Sequence, residues 1–239
     1  MNEDWLDRTR LLLGDDSVSR LKSKNVLIVG LGGVGATASE MICRAGVGKI
    51  TIVDSDIINN TNINRQLLAL HSNIGMNKSA VMGQRLRDIN PDVELTIIDK
   101  FVEEGLSTEI LSPKFDYVVD AIDTLSPKIY LIYYALEMNL KIISSMGAGG
   151  KIDPSLVQIT DLEKSFNCNL ARNLRKRLRK LGIKGGFPVV FSPEAVNPNA
   201  VIETPNEQNK KTNVGTISYM PSLFGIFCAS KVIRDLANS

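Results

Sequence analysis

The sequence predicts an α/β fold in which a mostly parallel sheet is covered by helices on both faces. Short apolar runs rich in β-branched residues alternate with helix-length segments across residues 25–150. The first run ends in a group of glycines that opens directly into a helix, and the second ends at an aspartate. Apolar residues make up 44% of the 239 residues, so the chain is long and apolar enough for a full hydrophobic core.

The predicted strands and helices follow one another in the order of a parallel sheet. The strands are the short apolar runs at 26–29, 50–53, 95–98, 117–119 and 141–144. The helices are the longer segments at 36–45, 79–89 and 127–139, which end near Gly or before Asn-Pro. Each predicted helix connects two strands, which is the crossover that parallel strands need.

Two regions flank this core, and we expect residues 1–239 to form a single domain around the nucleotide-binding part at 25–150. Residues 1–24 are predicted to be an N-terminal helical arm that breaks at Gly14. Its expected apolar face consists of Leu11, Leu12, Leu13, Val18 and Leu21. Residues 151–239 are predicted to be a C-terminal α/β extension with a basic helix, a mobile loop at 192–213 and a closing helix at 222–236.

Composition excludes several classes of protein. The three cysteines, Cys43, Cys168 and Cys228, are far apart and form no C-x-x-C pair, which excludes a disulfide framework and a four-cysteine zinc site. No apolar run reaches the roughly 18 residues of a membrane span, and the first residues lack the pattern of a signal peptide. We therefore expect a cytoplasmic protein with no integral membrane segment. The net charge is only +2, so nucleic-acid binding has to be argued from local clusters.

A glycine-rich turn follows the first predicted strand. Gly30, Gly32 and Gly35 form a G-x-G-x-x-G motif that also contains Gly33, and Asp54 ends the next strand. Glycines allow close approach of the backbone, the helix N-terminus attracts phosphate, and an acidic residue at the second strand can bind ribose hydroxyls. The motif predicts an adenine nucleotide site, although by itself it equally suits a nicotinamide dehydrogenase.

A group of polar residues beyond this motif favours ATP. It consists of Asp56, Asn62, Arg65, Gln66, Lys78 and Asp123. Arg65 can clamp phosphate oxygens as a fork and Lys78 can add a point charge. Asp123 follows the strand that ends at Asp120, where a carboxylate can hold Mg²⁺ against phosphate oxygens. A dehydrogenase would leave these residues without a role.

Taken together, the glycine motif and these polar residues resemble the adenylation domain of the ubiquitin-activating superfamily over about residues 5–150. The resemblance implies that Asp54 binds the ribose, that Arg65 and Lys78 bind the triphosphate, and that Asp123 binds Mg²⁺. It also implies a homodimer, in which Arg8 reaches the phosphates of the partner subunit. Arg10 is the second choice for that role.

Further stretches resemble one branch of this superfamily, the tRNA threonylcarbamoyladenosine dehydratases. These are the segments at 7–14, 65–72, 144–149, 168–172 and 215–218. The sequence departs from that branch at Asn169, where a proline is common. The resemblance implies ATP-dependent dehydration and cyclisation of N6-threonylcarbamoyladenosine next to the anticodon, through an acyl-adenylate. Adenylation of a ubiquitin-like or sulfur-carrier protein is the alternative, and the two C-x-x-C pairs usual in sulfur-carrier activators are absent.

The region at 172–184 carries seven basic and no acidic residues, which fits a tRNA partner. The candidate phosphate contacts are Arg172, Arg175, Lys176, Arg179 and Lys180, although an ordinary solvated helix face explains them equally well. Cys168 just before them could carry the acyl group as a thioester. We expect no covalent role, because attack within the substrate needs no carrier. A cysteine desulfurase or sulfur-acceptor system is a further candidate partner, which the chain could also serve as a nucleotide-binding scaffold without turnover.

Overall fold

The computed structural model describes residues 4–111, 115–203 and 212–239. It contains a seven-stranded sheet in the order β3-β2-β1-β4-β5-β7-β6. Its strands are β1 (Asn25–Val29), β2 (Lys49–Val53), β3 (Glu94–Ile98), β4 (Tyr117–Asp120), β5 (Ile142–Ser145), β6 (Gln158–Asp161) and β7 (Pro188–Phe191). All neighbours pair in parallel except β6, which runs antiparallel to β7 at the edge. The predicted fold class is therefore confirmed.

Eight helices are found in the described residues, and most of them cover the sheet. They are α1 (Asp7–Leu13), α2 (Asp15–Ser23), α3 (Gly33–Arg44), α4 (Lys78–Ile89), α5 (Glu104–Ile110), α6 (Leu125–Glu137), α7 (Asn169–Lys180) and α8 (Tyr219–Ala237). One core joins the sheet to α2, α3, α4 and α8, and a second core joins the opposite face to α5, α6 and α7. β1 supplies both, because Val26 and Ile28 belong to the first core and Leu27 and Val29 to the second.

Four predictions need correction. Helix α5 and the pair β6–β7 were absent from the sequence-based assignment. The arm does break at Gly14, but its leucines do not all share one face. Val18 and Leu21 are buried, whereas Leu11 and Leu12 are 88% and 82% exposed. The predicted mobile loop at 192–213 contains two short paired strands, β8 (Val201–Glu203) and β9 (Thr212–Val214), and its part at 204–211 lies outside the described residues.

The strand order places a crevice next to β1. The chain moves from β1 to β2 and β3 on one side, then returns to place β4 on the other side of β1. Ligands of open α/β sheets bind at this reversal, beyond the carboxyl ends of the strands. The glycine turn after β1 and the aspartates after β4 both lie there. Among the described helices none is long and apolar enough to cross a membrane.

Candidate functional site

The glycine turn after β1 is packed so tightly that three of its four glycines leave no room for a side chain. Gly30 has a φ of +90°, and a Cβ there would lie 2.8 Å from the Ala121 carbonyl oxygen. A Cβ on Gly33 would lie 2.7 Å from the Arg65 carbonyl oxygen, and one on Gly35 would lie 1.7 Å from the Gly30 oxygen. These glycines join β1, α3 and the segments around Ala121 and Arg65 at one point.

Gly32 differs from the other three because the space beside it is open. The nearest atom that a Cβ there would meet is Nε2 of Gln66, at 3.9 Å. Gly32 is also the N-cap of α3, and no side chain caps the first N–H groups of that helix. These N–H groups and the helix dipole can therefore receive an anion that approaches over Gly32.

Asp54 ties the end of β2 to this turn. Its Oδ2 accepts a hydrogen bond from Leu31 N at 2.5 Å, and its Oδ1 accepts one from Asp56 N at 2.7 Å. Burial raises the pKa of Asp54, while Lys78 and the two backbone donors act in the opposite direction. The carboxylate is thus held at the crevice beside the glycine turn, where an acidic residue can accept ribose hydroxyls.

Lys78 begins α4 and points into the same region. It is only 4% exposed, and its Nζ donates to Asp56 Oδ2 at 2.7 Å. The Asp56 side chain itself is largely exposed. The positive charge of this buried ammonium also acts on Asp54, so it is a cation that faces two carboxylates at the crevice. It is a suitable partner for a phosphate group.

The segment around Arg65 lies against the glycine turn, as the close approach to Gly33 shows. Arg65 NH1 donates to the Thr61 carbonyl oxygen and to Asn64 Oδ1, both at 2.9 Å, which fixes the guanidinium locally. Asn62 is buried, and its side-chain oxygen accepts Asn59 N at 3.1 Å, so it stabilises the short 3₁₀ turn Asn60–Asn62. Its predicted contact with the nucleotide stays a prediction.

Gln66 carries an unusual atom for a protein interior. Its Oε1 is buried and accepts no hydrogen bond from any described residue. Buried polar atoms are almost always paired, so such an atom commonly marks a place where a ligand or water completes the pairing. The amide nitrogen of the same side chain, Nε2, is the nearest atom to the open space at Gly32, so the unpaired oxygen belongs to a side chain at that space.

Two features of the crevice were missed by sequence analysis. The first is a buried ion pair between Asp120 at the end of β4 and Lys128 on α6, with Nζ and Oδ2 2.7 Å apart and both side chains 0% exposed. The second is the support from the C-terminal extension. Pro221 of α8 packs under Gly33, and Asn64 Nδ2 donates to the Thr216 carbonyl oxygen at 2.9 Å. The isolated lysine in the apolar sequence of α6 could have signalled the first feature.

Asp123 is exposed, three residues beyond the end of β4. It follows directly on Ala121 and Ile122, whose backbone lies 2.8–3.2 Å from where a Cβ of Gly30 would be. The carboxylate is therefore carried by the same turn that packs against the glycines. Its role as a metal ligand stays a prediction.

The arm places Arg8 and Arg10 in different situations. Arg10 pairs with Asp4, Asp7 and Asp15, with all three N–O distances between 2.8 and 2.9 Å. Arg8 is exposed on α1, a helix with no buried residues. Arg10 thus has a structural role in closing the turn between α1 and α2, and the role of Arg8 at the phosphates of a partner subunit stays a prediction.

The basic helix α7 is amphipathic, with Ala171, Leu174 and Leu178 buried. Among its predicted phosphate contacts, Arg175 turns inward. Its NH1 donates to the carbonyl oxygens of Leu162 and Ser165 at 3.2 and 2.9 Å. Arg179 forms an ion pair with Glu163. Arg172, Lys176, Arg177 and Lys180 are exposed on this helix, and their side chains form no hydrogen bond or ion pair with any residue that the structure describes.

The three cysteines are all free and buried. Burial raises the pKa of Cys43 to about 11 and that of Cys228 to about 12, so both thiols are unreactive core residues. Cys168 is the N-cap of α7, and its Sγ lies 3.7 Å from where a Cβ on Gly147 would be. The expectation that Cys168 has no covalent role stays a prediction.

As a whole, the crevice suits a nucleoside triphosphate. It combines an open glycine cradle at a helix N-terminus without a side-chain cap, a partly buried carboxylate, a buried lysine and an unsatisfied buried acceptor. The described residues include no cluster of three or more His, Cys, Asp or Glu side chains for a metal ion. Mg²⁺ would therefore take most of its ligands from phosphate oxygens and water, which is its usual coordination in nucleotide sites.

Comparisons with known proteins identify the family and agree with the fold. The model of the ThiF family matches residues 6–239. A tRNA threonylcarbamoyladenosine dehydratase of Bacillus subtilis is 37% identical, over 96% of this chain and 93% of its own. The crystal structure of the Escherichia coli tRNA N6-threonylcarbamoyladenosine dehydratase in complex with ATP superposes with a TM-score of 0.88, at 35% identity over 98% and 93% of the two chains. The E. coli sulfur carrier protein ThiS adenylyltransferase is 32% identical but matches only 64% of this chain.

Proposed function

Because the chain belongs to the ThiF family, we propose that it is an ATP-dependent tRNA threonylcarbamoyladenosine dehydratase. It adenylates the threonylcarbamoyl carboxylate of the adenosine next to the anticodon and closes that group into a ring. The observation that carries this proposal is the extent of the similarity. The dehydratases match almost the whole chain, including α7 and α8, whereas the sulfur-carrier activator matches 64% of it.

The reaction places simple demands on the crevice. The substrate carboxylate is ionised at neutral pH, so its attack on the α-phosphorus of ATP needs alignment and charge neutralisation rather than a general base. Pyrophosphate leaves as the acyl-adenylate forms. The substrate's own carbamoyl group then attacks the activated carbonyl carbon, loses a proton and expels AMP. The net change is removal of water from the modified base, driven by conversion of ATP to AMP and pyrophosphate.

The residues at the crevice divide these tasks. The glycines 30, 32, 33 and 35 admit the phosphates, Asp54 holds the ribose, and Asp56, Asn62 and Gln66 complete the nucleotide pocket. Arg65 and Lys78 neutralise the triphosphate. Asp123 would hold Mg²⁺, which would supply additional positive charge at the phosphates. The open space beside Gly32 and the unsatisfied Gln66 oxygen support this assignment.

A homodimer explains the exposed arm. Leu6 packs against Gly46, just beyond the C-terminal end of α3, while the phosphates belong at its N-terminal end. Twelve helical residues separate these ends by about 18 Å. Two residues of chain from Leu6 to Arg8 span at most about 7 Å. Arg8 is thus poorly placed for its own site and suited to a partner subunit's site, and the exposed Leu11 and Leu12 on the same helix offer apolar contact area.

The function is tested by following AMP and pyrophosphate with defined substrates. We expect AMP to form from ATP only with tRNA that carries N6-threonylcarbamoyladenosine, and nucleoside mass analysis to show loss of 18 Da from that base. The same tRNA without the modification is the control. Pyrophosphate exchange stimulated by a small carrier protein would favour the alternative activity, and absence of AMP with every substrate would favour a nucleotide-binding scaffold.

The exposed face of α7 gives a separate prediction about tRNA. Changing both Lys176 and Lys180 to Glu is expected to weaken tRNA binding and to lower the slope of log K against log salt by about 1.5, because each lost phosphate contact removes roughly 0.7–0.9. Filter binding or anisotropy at several salt concentrations measures this slope. Arg87→Glu, an exposed change on α4, is the matched control. An unchanged slope in the double variant would identify α7 as an ordinary solvated face.

The proposal also includes the location of the protein and a partner protein. A tRNA-modifying role places the protein in the cytoplasm. A cysteine desulfurase or sulfur-acceptor partner would be recognised by a change in the turnover of modified tRNA when that partner is added to the purified chain.

A further inference from the structure

The buried pair Asp120–Lys128 has more contacts than an ion pair needs. Asp120 Oδ2 accepts from Lys128 Nζ at 2.7 Å and from Ser144 Oγ at 2.6 Å, while its Oδ1 accepts from Ile122 N at 3.2 Å. Lys128 Nζ in turn donates to the Ile122 carbonyl oxygen at 2.8 Å. Both side chains are completely buried. The two side chains of the pair thus form hydrogen bonds with both the N–H and the C=O of one residue, Ile122.

A buried ion pair of this kind contributes little to the free energy of folding. Desolvation of two charges offsets most of their attraction, and well-packed apolar residues often do as well or better. A fully satisfied buried network does fix geometry, however, because each member has one place in which all its partners are reached. The geometry that this network fixes is the peptide between Ile122 and Asp123, since the Ile122 carbonyl belongs to it.

The same short turn also packs against the phosphate cradle. Ala121 N donates to the Val29 carbonyl oxygen at 2.9 Å, and the Ala121 oxygen approaches Gly30 so closely that a Cβ there would lie 2.8 Å away. A shift of the turn at 121–123 would therefore move Asp123 relative to the glycine turn. The spacing between these two determines whether one metal ion can contact the carboxylate and the phosphates together.

We propose that Asp120 and Lys128 are positioning residues, which hold the turn at 121–123 so that Asp123 meets the metal bound to the nucleotide's phosphates. The inference rests on the proposed function in one respect, namely that Asp123 is a Mg²⁺ ligand. Ser144 completes the network by orienting the Asp120 carboxylate from β5. Neither Asp120 nor Lys128 touches the reacting atoms.

The test measures metal binding separately from nucleotide binding. Mn²⁺ replaces Mg²⁺, the full chain is saturated with a non-hydrolysable ATP analogue, and free Mn²⁺ is followed by electron paramagnetic resonance. Lys128→Met is expected to weaken Mn²⁺ binding by about 10–100-fold, the usual effect of losing a partner that orients a metal ligand. Affinity for the analogue in the presence of EDTA is expected to stay within about twofold of the unchanged chain, because the glycine cradle is left intact.

Lys128→Met leaves a buried carboxylate without its partner and can fail to fold, so the charge-neutral variant Asp120→Asn with Lys128→Met is measured beside it. This double variant also lacks the bond to the Ile122 carbonyl, and the same loss of Mn²⁺ affinity is expected, with a thermal midpoint recorded for each protein. A double variant that binds Mn²⁺ like the unchanged chain would overturn the proposal. So would a parallel fall in Mn²⁺ affinity and in EDTA-measured nucleotide affinity, which indicates general loss of structure.

Asp123→Asn separates this inference from the proposed function. If Asp123→Asn weakens Mn²⁺ binding and the Asp120/Lys128 variants do not, only the positioning role is wrong. If Asp123→Asn has no effect, the metal assignment itself is wrong and the positioning role is overturned with it. The tRNA-dependent formation of AMP reports on the proposed reaction independently of both results.

Discussion

Gly35→Ala is expected to abolish ATP binding and to destabilise the protein. The new Cβ would lie 1.7 Å from the Gly30 carbonyl oxygen, and backbone on both sides prevents that oxygen from moving freely. Overpacking of this kind costs about 1–3 kcal/mol or more, which for a chain of this length lowers the melting temperature by roughly 2–12 °C. Calorimetric titration with ATP and a thermal melt of the same sample measure both effects.

Gly32→Ala is the informative comparison. It adds a methyl group where the folded protein has space for one, so it tests the effect on ATP binding without a large effect on stability. Its Cβ would meet nothing nearer than 3.9 Å, so the melting temperature is expected to change little. ATP affinity is nevertheless expected to fall by about 10–100-fold, the worth of one hydrogen bond between a backbone donor and a charged phosphate oxygen. Gly105→Ala on α5, where a Cβ meets nothing within 4 Å, should leave ATP affinity unchanged and raise the melting temperature slightly, because Ala favours a helix more than Gly does. A Gly32→Ala protein with normal ATP affinity would show that the phosphates do not lie over this turn.

The sequence predicts the half of the fold that local patterns specify. β1, β2 and α3 are marked by apolar runs, by the glycine motif and by Asp54, and each is found within a few residues of its predicted position. β6 and β7 were missed because their pairing is long-range. Val189 and Val190 join β5 and β6 only after the chain has passed through α7. Helix α5 is short, and its apolar side, Leu106 and Ile110, has too few residues to show a period.

For the candidate site, the sequence predicts which residues come together but not the direction of each side chain. The spacing of the motifs predicts that Gly32, Asp54 and Lys78 lie at one edge of the sheet. It could not orient individual cations, and Arg175 is the instructive case. It follows Leu174 and lies four residues after Ala171 and three before Leu178, so it is at the flank of the buried stripe. Helical spacing could have predicted its inward direction. The partners of Lys128, Asp120 and the Ile122 carbonyl, are near in sequence, but they are set by the turn between β4 and α6, which no periodic pattern specifies.

Lys78→Met is the second change for which we expect a very large effect, this time on catalysis rather than on folding. Lys78 is 4% exposed, and a methionine of similar length fills its space, while the Asp56 carboxylate that loses its partner is already largely solvated. Stability is therefore expected to change by less than about 1 kcal/mol. The adenylation rate is expected to fall by about 10²–10³, the usual consequence of removing one fixed charge or donor that stabilises charge in the transition state. Single-turnover formation of AMP at saturating ATP measures this rate directly.

Lys231→Met controls for the loss of an ion pair as such. Lys231 binds Asp235 at the same 2.7 Å distance, but Asp235 also accepts from Tyr117 at the start of β4, which is the opposite edge of the sheet from the crevice. That variant should adenylate normally. Asp56→Asn removes the partner of Lys78 while keeping the ammonium, so it should retain far more activity than Lys78→Met if the charge itself acts on the triphosphate. Equal losses in the two variants would mean that the pair only shapes the start of α4, and that another cation neutralises the departing pyrophosphate.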